Sequence, residues 1–241
     1  MRDTVHIESG DVRMIAHRGL SGIETENTAA AFVAAANRSY FGIETDIHVT
    51  KDGFFAVIHD DKTSRVSSEN LTVEESTLAE LRAVQLRNKE CYPRYDLRIP
   101  ALEEYVSICK TYGKTSVLEL KNLFTEHDIS HVIGVLKEME HLESTIFISF
   151  VFDNLVMLRK LEPSCRVQWL VHRTPSTEEM LKTAKEHRFD LDLHFSLVTP
   201  ELVSTAHEYG LLVNTWTVDA AEEAERLIDA GIDFITTNIL E

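Results

Sequence analysis

The sequence predicts an α/β fold, a (β/α)8 barrel of the TIM type with an insertion after the second strand. Short β-branched runs alternate with longer helical patterns, as in successive parallel βα units. Eight such runs occur, and from the fourth onward they begin 21, 23, 22 and 21 residues apart. This spacing favours a closed barrel of about 250 residues over an open doubly wound sheet. The predicted strands are 12–16, 42–48, 115–120, 145–150, 166–171, 189–193, 211–217 and 232–236.

Capping residues mark the helices between these strands. Thr199 and Pro200 have the pattern of an N-cap followed by the first helical position. Gly113, Gly210 and Gly231 stand where C-terminal caps are expected. A helix is therefore predicted after most of the strands.

The interval between the second and third predicted strands is much longer than the others. Residues 60–100 within it are polar and include Pro93 and Pro100. Thr77 and Glu80 form a capping-box pattern that predicts one short helix. We expect an ordered insertion that shapes the pocket of a single barrel domain over residues 1–241; a mobile surface excursion is the alternative.

The composition limits the classes of function. The chain has 241 residues, 44% of them hydrophobic, which is enough to bury a large core. Its formal charge of −16 disfavours electrostatic binding of nucleic acid or of an anionic membrane. No apolar run reaches the roughly 18 residues of a membrane helix. We therefore expect a cytoplasmic protein without an integral membrane segment, and a homodimer stays open as its assembly.

The cysteines do not indicate a structural site. Cys91, Cys109 and Cys165 are odd in number and lack the spacing of a zinc site. Three reduced thiols are the expected state of these residues.

Charged side chains gather where the first three predicted strands end. They are His17 and Arg18 after the first strand, Glu44 and Asp46 in the second, and Glu119 and Lys121 at the third. The carboxyl ends of the strands form the active-site face of such barrels, and residues two apart on a strand share a side. Three converging carboxylates repel one another unless a cation lies between them. The sequence therefore predicts one divalent cation with oxygen ligands, Mg²⁺ or Ca²⁺.

A hairpin is expected to bring His59 to the same place. The turn signal Lys51-Asp52-Gly53 lies between two β-rich runs, which indicates an antiparallel excursion beyond the barrel. A symmetric hairpin centred on the Asp-Gly turn would place His59 opposite Asp46.

Two histidines beside a metal–carboxylate site can divide acid–base work. One imidazole can accept a proton from a nucleophile while the other gives one to a leaving group. Arg18 and Lys121 add fixed positive charge that suits phosphate oxygens. With three acids, one divalent cation and these two cations, the local charge is −3 + 2 + 2 = +1, so an anionic substrate can bind.

Successive motifs along the chain resemble the glycerophosphodiester phosphodiesterase family, which is related to phosphatidylinositol-specific phospholipase C. The matching stretches are IAHRG, ENTAAAF, GIETDIHVTKDGFFAVIHDD, RIPALEEYV, LELK, ISF and LLVNTWTVDAAEEAERLIDAGIDFITTN. They span nearly the whole chain in the order in which the family has them. Two positions depart from the family pattern: Thr25 stands where a proline is usual, and Asn238 stands where an aspartate is usual. We expect these departures to affect loop rigidity and the closing turn but not the chemistry.

The resemblance implies metal-dependent hydrolysis of a glycerophosphodiester to glycerol 3-phosphate and an alcohol. It also implies the roles of individual residues. His17 and His59 would be the acid–base pair, Arg18 and Lys121 would bind the phosphate, and Glu44, Asp46 and Glu119 would hold the metal. In related phospholipases a substrate hydroxyl attacks phosphorus first, and by analogy the glycerol 2-hydroxyl would do so here.

Other polar and aromatic residues carry weaker indications. Trp216, His194 and Phe150 follow strand ends, so they are expected either to line the substrate pocket or to serve packing. His48 and His172 are expected to be structural. His127 and His131 have helical spacing but no evident third ligand, so a solvated helix face is expected.

Three alternative functions stay open. A lysophospholipase D or phosphoinositide-type enzyme would keep both histidines and would have an exposed apolar rim. A non-catalytic binding protein with a barrel fold would have lost a metal ligand or a histidine. A metal-dependent amidohydrolase would show His-x-His after the first strand, where this chain has His17-Arg18-Gly19.

Overall fold

Eight parallel strands close into a barrel in the computed structural model, which describes residues 3–88, 94–174 and 176–241. Closure is made by Ile15 of the first strand, which pairs with Gly42 on one side and Thr236 on the other. A ninth strand pairs antiparallel with the second and lies outside the barrel. The strands are β1 Arg13–Ala16, β2 Gly42–Val49, β3 Phe55–Val57, β4 Thr115–Leu120, β5 Thr145–Ser149, β6 Arg166–Val171, β7 Asp190–His194, β8 Val213–Trp216 and β9 Phe234–Thr237. The predicted barrel and the positions of its eight strands are confirmed.

Helices connect the parallel strands, and the predicted capping residues lie at their ends. Thr199 accepts a hydrogen bond from the backbone N–H of Leu202, with Pro200 in the first position. Gly113 ends another helix in the left-handed conformation, at φ 65°. The α-helices of the described chain are α1 Ala29–Ala36, α2 Leu78–Ala83, α3 Leu102–Tyr112, α4 Glu126–Glu138, α5 Phe152–Leu161, α6 Thr177–His187, α7 Pro200–Glu208 and α8 Ala221–Asp229.

The hydrophobic residues form three separate cores. The largest lies between the outside of the barrel and its helices and includes Phe32, Phe147 and Phe189. A small core fills the lower barrel interior, where Ile15 and Val117 pack together with other side chains. Gln168 and Asn214 share this level of the interior and hydrogen-bond to each other, and the ionisable side chains lie above them.

The third core lies beneath the insertion and orders it. Leu81 of α2 is fully buried there among aliphatic side chains from the insertion and from β3. The capping box of Thr77 and Glu80 is present as predicted. Residues 60–88 and 94–100 are packed, whereas residues 89–93, with Cys91 and Pro93, lie outside the described residues.

The register of the hairpin differs by one residue from the predicted one. Ile47 pairs with Val57 and Val49 with Phe55, so that the backbone N–H of Ile58, and not that of His59, meets the carbonyl of Asp46. The reason is a three-residue loop in which Gly53 has φ 82°. Such a loop closes one residue earlier than the symmetric two-residue turn assumed from the sequence.

Candidate active site

The upper barrel is filled by layers of side chains from alternate strands, as is usual for this architecture. Following the register around the barrel, the deeper layer consists of Glu44, Ile148, Asp192 and Thr236. The layer above it consists of His17, Glu119, Leu170 and Trp216. These eight side chains, with Arg18, His59 and Phe150, line a small cavity that opens to solvent.

Three carboxylates from neighbouring strands meet at one side of this cavity. Each of Glu44, Asp46 and Glu119 is buried, and each offers an oxygen atom within 4.8 Å of the others'. Burial and then repulsion by Asp46 raise the pKa of Glu44 well above its usual range. The same two causes raise the pKa of Glu119 to about 8. Glu119 therefore holds its proton at neutral pH unless a cation lies among the acids, and the pKa of Glu44 is shifted in the same direction.

Asp46 is the acid that the protein's own cations keep ionised. Burial alone would raise the pKa of Asp46, but Lys121 and Arg18 bring it well below its usual range. Lys121 Nζ lies 3.4 Å from Asp46 Oδ1 and 2.8 Å from Glu119 Oε1, and Arg18 Nε lies 3.5 Å from Asp46 Oδ2. Buried Asp46 Oδ1 accepts no hydrogen bond from the described residues. Three oxygen donors, one with an unused lone pair, suit a hard divalent cation.

Arg18 is held in place by its backbone and by a network of charges. It adopts a left-handed conformation, with φ 53°, and its backbone N–H donates to Glu44 Oε2 at 2.8 Å. Gly19 must follow, because a Cβ there would lie 2.7 Å from the backbone of Ala31. The Arg18 guanidinium donates to Glu26 Oε1 at 2.9 Å, and Glu26 also receives two hydrogen bonds from Arg65.

The insertion therefore acts on the site through Arg65. None of its described residues lines the cavity, although we expected it to shape the pocket. Arg65 instead fixes Glu26 and Asp60, which contact Arg18 and His59. Glu26 lies in the loop after β1, and its contacts with Arg18 and Arg65 join segments that no local sequence pattern relates to one another.

His17 is oriented by Asn238, the residue that departs from the family pattern. Its Nδ1 lies 2.8 Å from Asn238 Oδ1. The Asn238 amide group donates to Asp219 Oδ2 at 2.6 Å, so its carbonyl oxygen must face His17. The proton of neutral His17 is then on Nδ1, and Nε2 faces Glu44 at 4.0 Å. We expected this departure to affect the closing turn and not the chemistry; the structure places Asn238 in contact with the ring of His17, a candidate catalytic residue.

The protonation of His17 follows from its depth in the barrel. Burial, and after it the charge of Arg18, lower the pKa of His17 to about 4. The imidazole is therefore neutral at pH 7, in the tautomer that Asn238 selects.

His59 has the corresponding arrangement on the other side of the cavity. Its Nδ1 lies 2.5 Å from Asp60 Oδ1, and Asp60 is in turn held by Arg65. Burial is the main cause that lowers the pKa of His59, and Asp46 opposes it. One third of the side chain is exposed, so His59 lies nearer the opening than His17 does.

Aromatic residues form the wall opposite the acids. The rings of Phe150 and Trp216 meet edge to face at 5.5 Å, and both line the cavity. His194 packs against Trp216 at 5.4 Å but lines a neighbouring cleft with His172. The structure thus brings Phe150 and Trp216 to the cavity and leaves His194 behind its wall.

Two contributors to the site were missed in the sequence. Asn27 donates from its amide to Asp46 Oδ2 at 2.8 Å, and Asp192 lies in the deeper layer of the cavity. Asp192 left a signal, since Asp190, Asp192 and His194 alternate along a strand that should otherwise be apolar inside.

Comparison with known proteins identifies the family. Residues 17–241 match the sequence profile of the glycerophosphoryl diester phosphodiesterase family. This chain belongs to that family. A glycerophosphodiester phosphodiesterase of Caldanaerobacter subterraneus is 30% identical over 227 residues, which cover 93% of each chain. One of Bacillus altitudinis is 28% identical over 230 residues, or 94% of each chain.

Solved structures agree with this family assignment. An Oleispira antarctica phosphodiesterase, determined in complex with the product sn-glycerol-3-phosphate, superposes with a TM-score of 0.85 at 27% identity. The match covers 94% of this chain and 92% of that one. A Silicibacter pomeroyi protein described as a putative member gives a TM-score of 0.86 at 25% identity, with coverages of 95% and 90%. The predicted family, fold and enzyme class are confirmed.

Within residues 3–88, 94–174 and 176–241, no helix has the length and apolar character that crossing a bilayer requires. The predictions of location and assembly stay predictions.

Cation binding to this family member should strengthen as the pH rises. Because the pKa of Glu119 is raised to about 8, the metal-free fold is stabilised by this group at low pH and loses that stability as the pH rises through 8. A cation reverses this loss. We expect Mg²⁺ or Ca²⁺ to raise the melting temperature more at pH 8.5 than at pH 7, with affinity rising up to about tenfold per pH unit for each proton released.

The pH window and the control keep this measurement specific. Both pH values lie above 6.5, where the opposite contribution of buried His17 is constant. Glu44→Gln imitates the protonated acid. In EDTA its melting temperature should equal that of the wild type, and the cation should raise it little. An equal shift at both pH values, or a full shift in Glu44→Gln, would contradict the prediction.

Proposed function

We propose that this chain hydrolyses glycerophosphodiesters to glycerol 3-phosphate and an alcohol in a metal-dependent reaction. The observation that carries the proposal is a cluster of three buried carboxylates, two cationic side chains and two histidines at one side of the cavity. Arg18, Glu44, Glu119 and both histidines line the cavity, and Asp46 and Lys121 lie directly behind them. The names of the relatives and the product bound to the Oleispira antarctica phosphodiesterase support the substrate class.

Glu44, Asp46 and Glu119 would hold the divalent cation. When bound, such an ion polarises a phosphoryl oxygen and lowers the pKa of a coordinated hydroxyl group. The charges of the cavity then sum to −3 + 2 + 2 = +1, as the sequence indicated. A phosphodiester anion is therefore attracted into a protein whose formal net charge is −16.

Arg18 and Lys121 would bind the phosphoryl group. Their charges already face the acids, and burial favours their interaction with an incoming anion over their interaction with water. Arg18 cannot turn away, because Glu26 and the left-handed backbone fix it. Its guanidinium thus meets the substrate with little loss of side-chain entropy.

His17 and His59 would act as the acid–base pair. Each is held by its Nδ1, so that each Nε2 is free for proton transfer. One imidazole takes the proton of the attacking hydroxyl, here proposed as the glycerol 2-hydroxyl. The other, in its protonated form, gives a proton to the departing alkoxide. Water then opens the cyclic phosphate that this attack forms, with the roles of the two imidazoles exchanged, and glycerol 3-phosphate is released.

A lysophospholipase D activity is a second candidate. Leu123 is 68% exposed and Phe150 39% exposed, and both lie in loops that follow barrel strands. An apolar rim of this kind suits a lipid chain near the opening. The non-catalytic alternative finds no support, because neither a proposed metal ligand nor a proposed catalytic histidine is replaced.

Turnover by the purified protein tests the main proposal. A panel of glycerophosphodiesters and lysophospholipids is incubated with Mg²⁺, Ca²⁺ or EDTA, and release of the free head-group alcohol is measured for both classes. Release of glycerol 3-phosphate is measured in addition for the glycerophosphodiesters, because a lysophospholipid cleaved at the same bond yields a lysophosphatidate instead. We expect metal-dependent release of glycerol 3-phosphate from at least one glycerophosphodiester. Glu119→Gln in the presence of metal should release only as much as the wild type does in EDTA. Absence of metal-dependent release from every member would overturn the proposal, and preference for lysophospholipids would favour the second candidate.

Leaving-group dependence assigns the two histidines. His17→Ala and His59→Ala should each lose about 10²- to 10⁴-fold in kcat with an alkyl leaving group. A nitrophenol leaving group needs no protonation, so it should restore activity only to the variant that lacks the general acid. His172→Ala, which touches the outer face of Phe150, serves as the control. Equal rescue of both variants would contradict the division of roles.

Asn238 should affect the rate more than substrate binding. In Asn238→Ala, His17 loses the partner that fixes its tautomer, and kcat should fall about 10- to 100-fold with KM little changed. Nitrogen-15 NMR should show the Nδ1-protonated tautomer of His17 in the wild type and a mixture in the variant. An unchanged kcat, or an unchanged tautomer, would show that Asn238 only closes the barrel.

A further inference from the structure

Asp192 is a buried carboxyl group that lacks a partner. It lies on β7 with 1% of its surface exposed, and its Oδ1 receives no hydrogen bond from any residue that the structure describes. The same side chain lines the cavity. Buried polar groups are almost always satisfied, so one that faces a cavity is suited to a ligand.

The polar residues beneath Asp192 are already engaged with one another. Asn214 donates from its amide to Gln168 Oε1 at 3.1 Å, and its own Oδ1 accepts from Thr236 at 3.3 Å. Gln168 and Asn214 lie below the cavity with their amide groups engaged, and Thr236, in the same layer as Asp192, is engaged with Asn214. None of these polar side chains donates to Asp192 Oδ1, although Asp192 borders the cavity.

The position of Asp192 separates it from the acidic triad as well. β7 is the sixth parallel strand of the barrel and β2 is the second, so Asp192 and Glu44 face each other across the same layer. Asp192 is not among the acids whose oxygens lie within 4.8 Å of one another. Between the two sides, Ile148, Leu170 and Trp216 present apolar surface.

We propose that Asp192 binds a hydroxyl group of the substrate's glycerol unit, the terminal hydroxyl most distant from phosphorus. This inference rests on the proposed function, which puts the phosphoryl group beside Arg18 and Lys121. The glycerol carbons then lie along Ile148 and Leu170, and the terminal hydroxyl reaches Asp192 in the deeper layer of the cavity, here called the floor. A hydroxyl both donates and accepts, so it satisfies Asp192 whether the carboxyl group is ionised or protonated.

The glycerol unit, and not the leaving alcohol, fits the floor. The floor is enclosed, whereas Phe150 at the opening is 39% exposed. Glycerol is the small part common to all these diesters, and the alcohol is the part whose size varies. The constant part can occupy the closed end while the variable part extends toward solvent.

The consequence is selectivity for glycerol over a unit that lacks the terminal hydroxyl. A site that has a buried polar group for a substrate hydroxyl rejects the analogue without it, because the polar group is then left unpaired. Burial, and after it the charge of Glu119, raise the pKa of Asp192 well above its usual range. Such a carboxyl group is stabilised by a fixed hydroxyl partner, because the bound substrate displaces the water that would otherwise hydrogen-bond to it.

Paired substrates test the proposal. Nitrophenyl diesters of glycerol 3-phosphate and of 1-phosphopropan-2-ol differ only in the terminal hydroxyl, and both keep the attacking 2-hydroxyl. Wild-type kcat/KM should favour the glycerol diester about 10- to 100-fold. Asp192→Leu should bring this ratio near 1 by losing activity on the glycerol diester alone, and Asp192→Asn should keep part of the preference.

Controls separate recognition from structure. Gln168→Leu, in the layer below, should keep the wild-type ratio even if its melting temperature falls. The proposal is overturned if Asp192→Leu keeps the wild-type ratio of kcat/KM values, or if it loses activity equally on both diesters.

A binding measurement separates this inference from the proposed function. Calorimetric titration of the wild type with glycerol 3-phosphate and with 1-phosphopropan-2-ol needs no turnover. Glycerol 3-phosphate should bind more tightly, because its terminal hydroxyl contacts Asp192. If neither diester is cleaved but this preference is present and is lost in Asp192→Leu, the proposed function fails and the binding role of Asp192 stands. Equal binding of both monoesters by the wild type would overturn the inference itself.

Discussion

The mutual repulsion of three buried carboxylates is the constraint on which the rest of the site depends. Glu44, Asp46 and Glu119 share a region less than 5 Å across, where water cannot screen them. Arg18 and Lys121 offset this repulsion at Asp46, whose pKa they bring below its usual range. The remaining two acids have raised pKa values, so the site is completed most favourably by a divalent cation.

Pairing of charged and polar groups continues in the residues around the acids and fixes the geometry of the reactive groups. Glu26 holds Arg18, and Arg65 holds both Glu26 and Asp60. On the opposite side, Asp219 turns the amide of Asn238 so that its oxygen meets His17. Both imidazoles therefore present Nε2 to the cavity before any substrate arrives. Preorganisation of this kind reduces the reorganisation that the reaction would otherwise require.

The sequence by itself determined the barrel and most of the site. Strand spacing and capping residues such as Thr199 are local signals, and they located all eight barrel strands to within about two residues. Because alternation along a strand is also local, it correctly placed Glu44 and Glu119 on the inside at the carboxyl ends. These features require no knowledge of which strands become neighbours beyond the closure that the fold class implies.

Only the tertiary structure decided the contacts between distant segments. The one-residue difference at Gly53 changed the partner of Asp46 in the hairpin, and no pattern in the strands could specify the length of that loop. The pairing of Asn238 with His17 joins the two ends of the chain and exists only because the barrel closes. Asp192 was visible as an acid in an apolar strand, but its position opposite Glu44 depends on the register of every strand between them. Register and closure are cooperative properties of the whole sheet, so local sequence does not encode them one residue at a time.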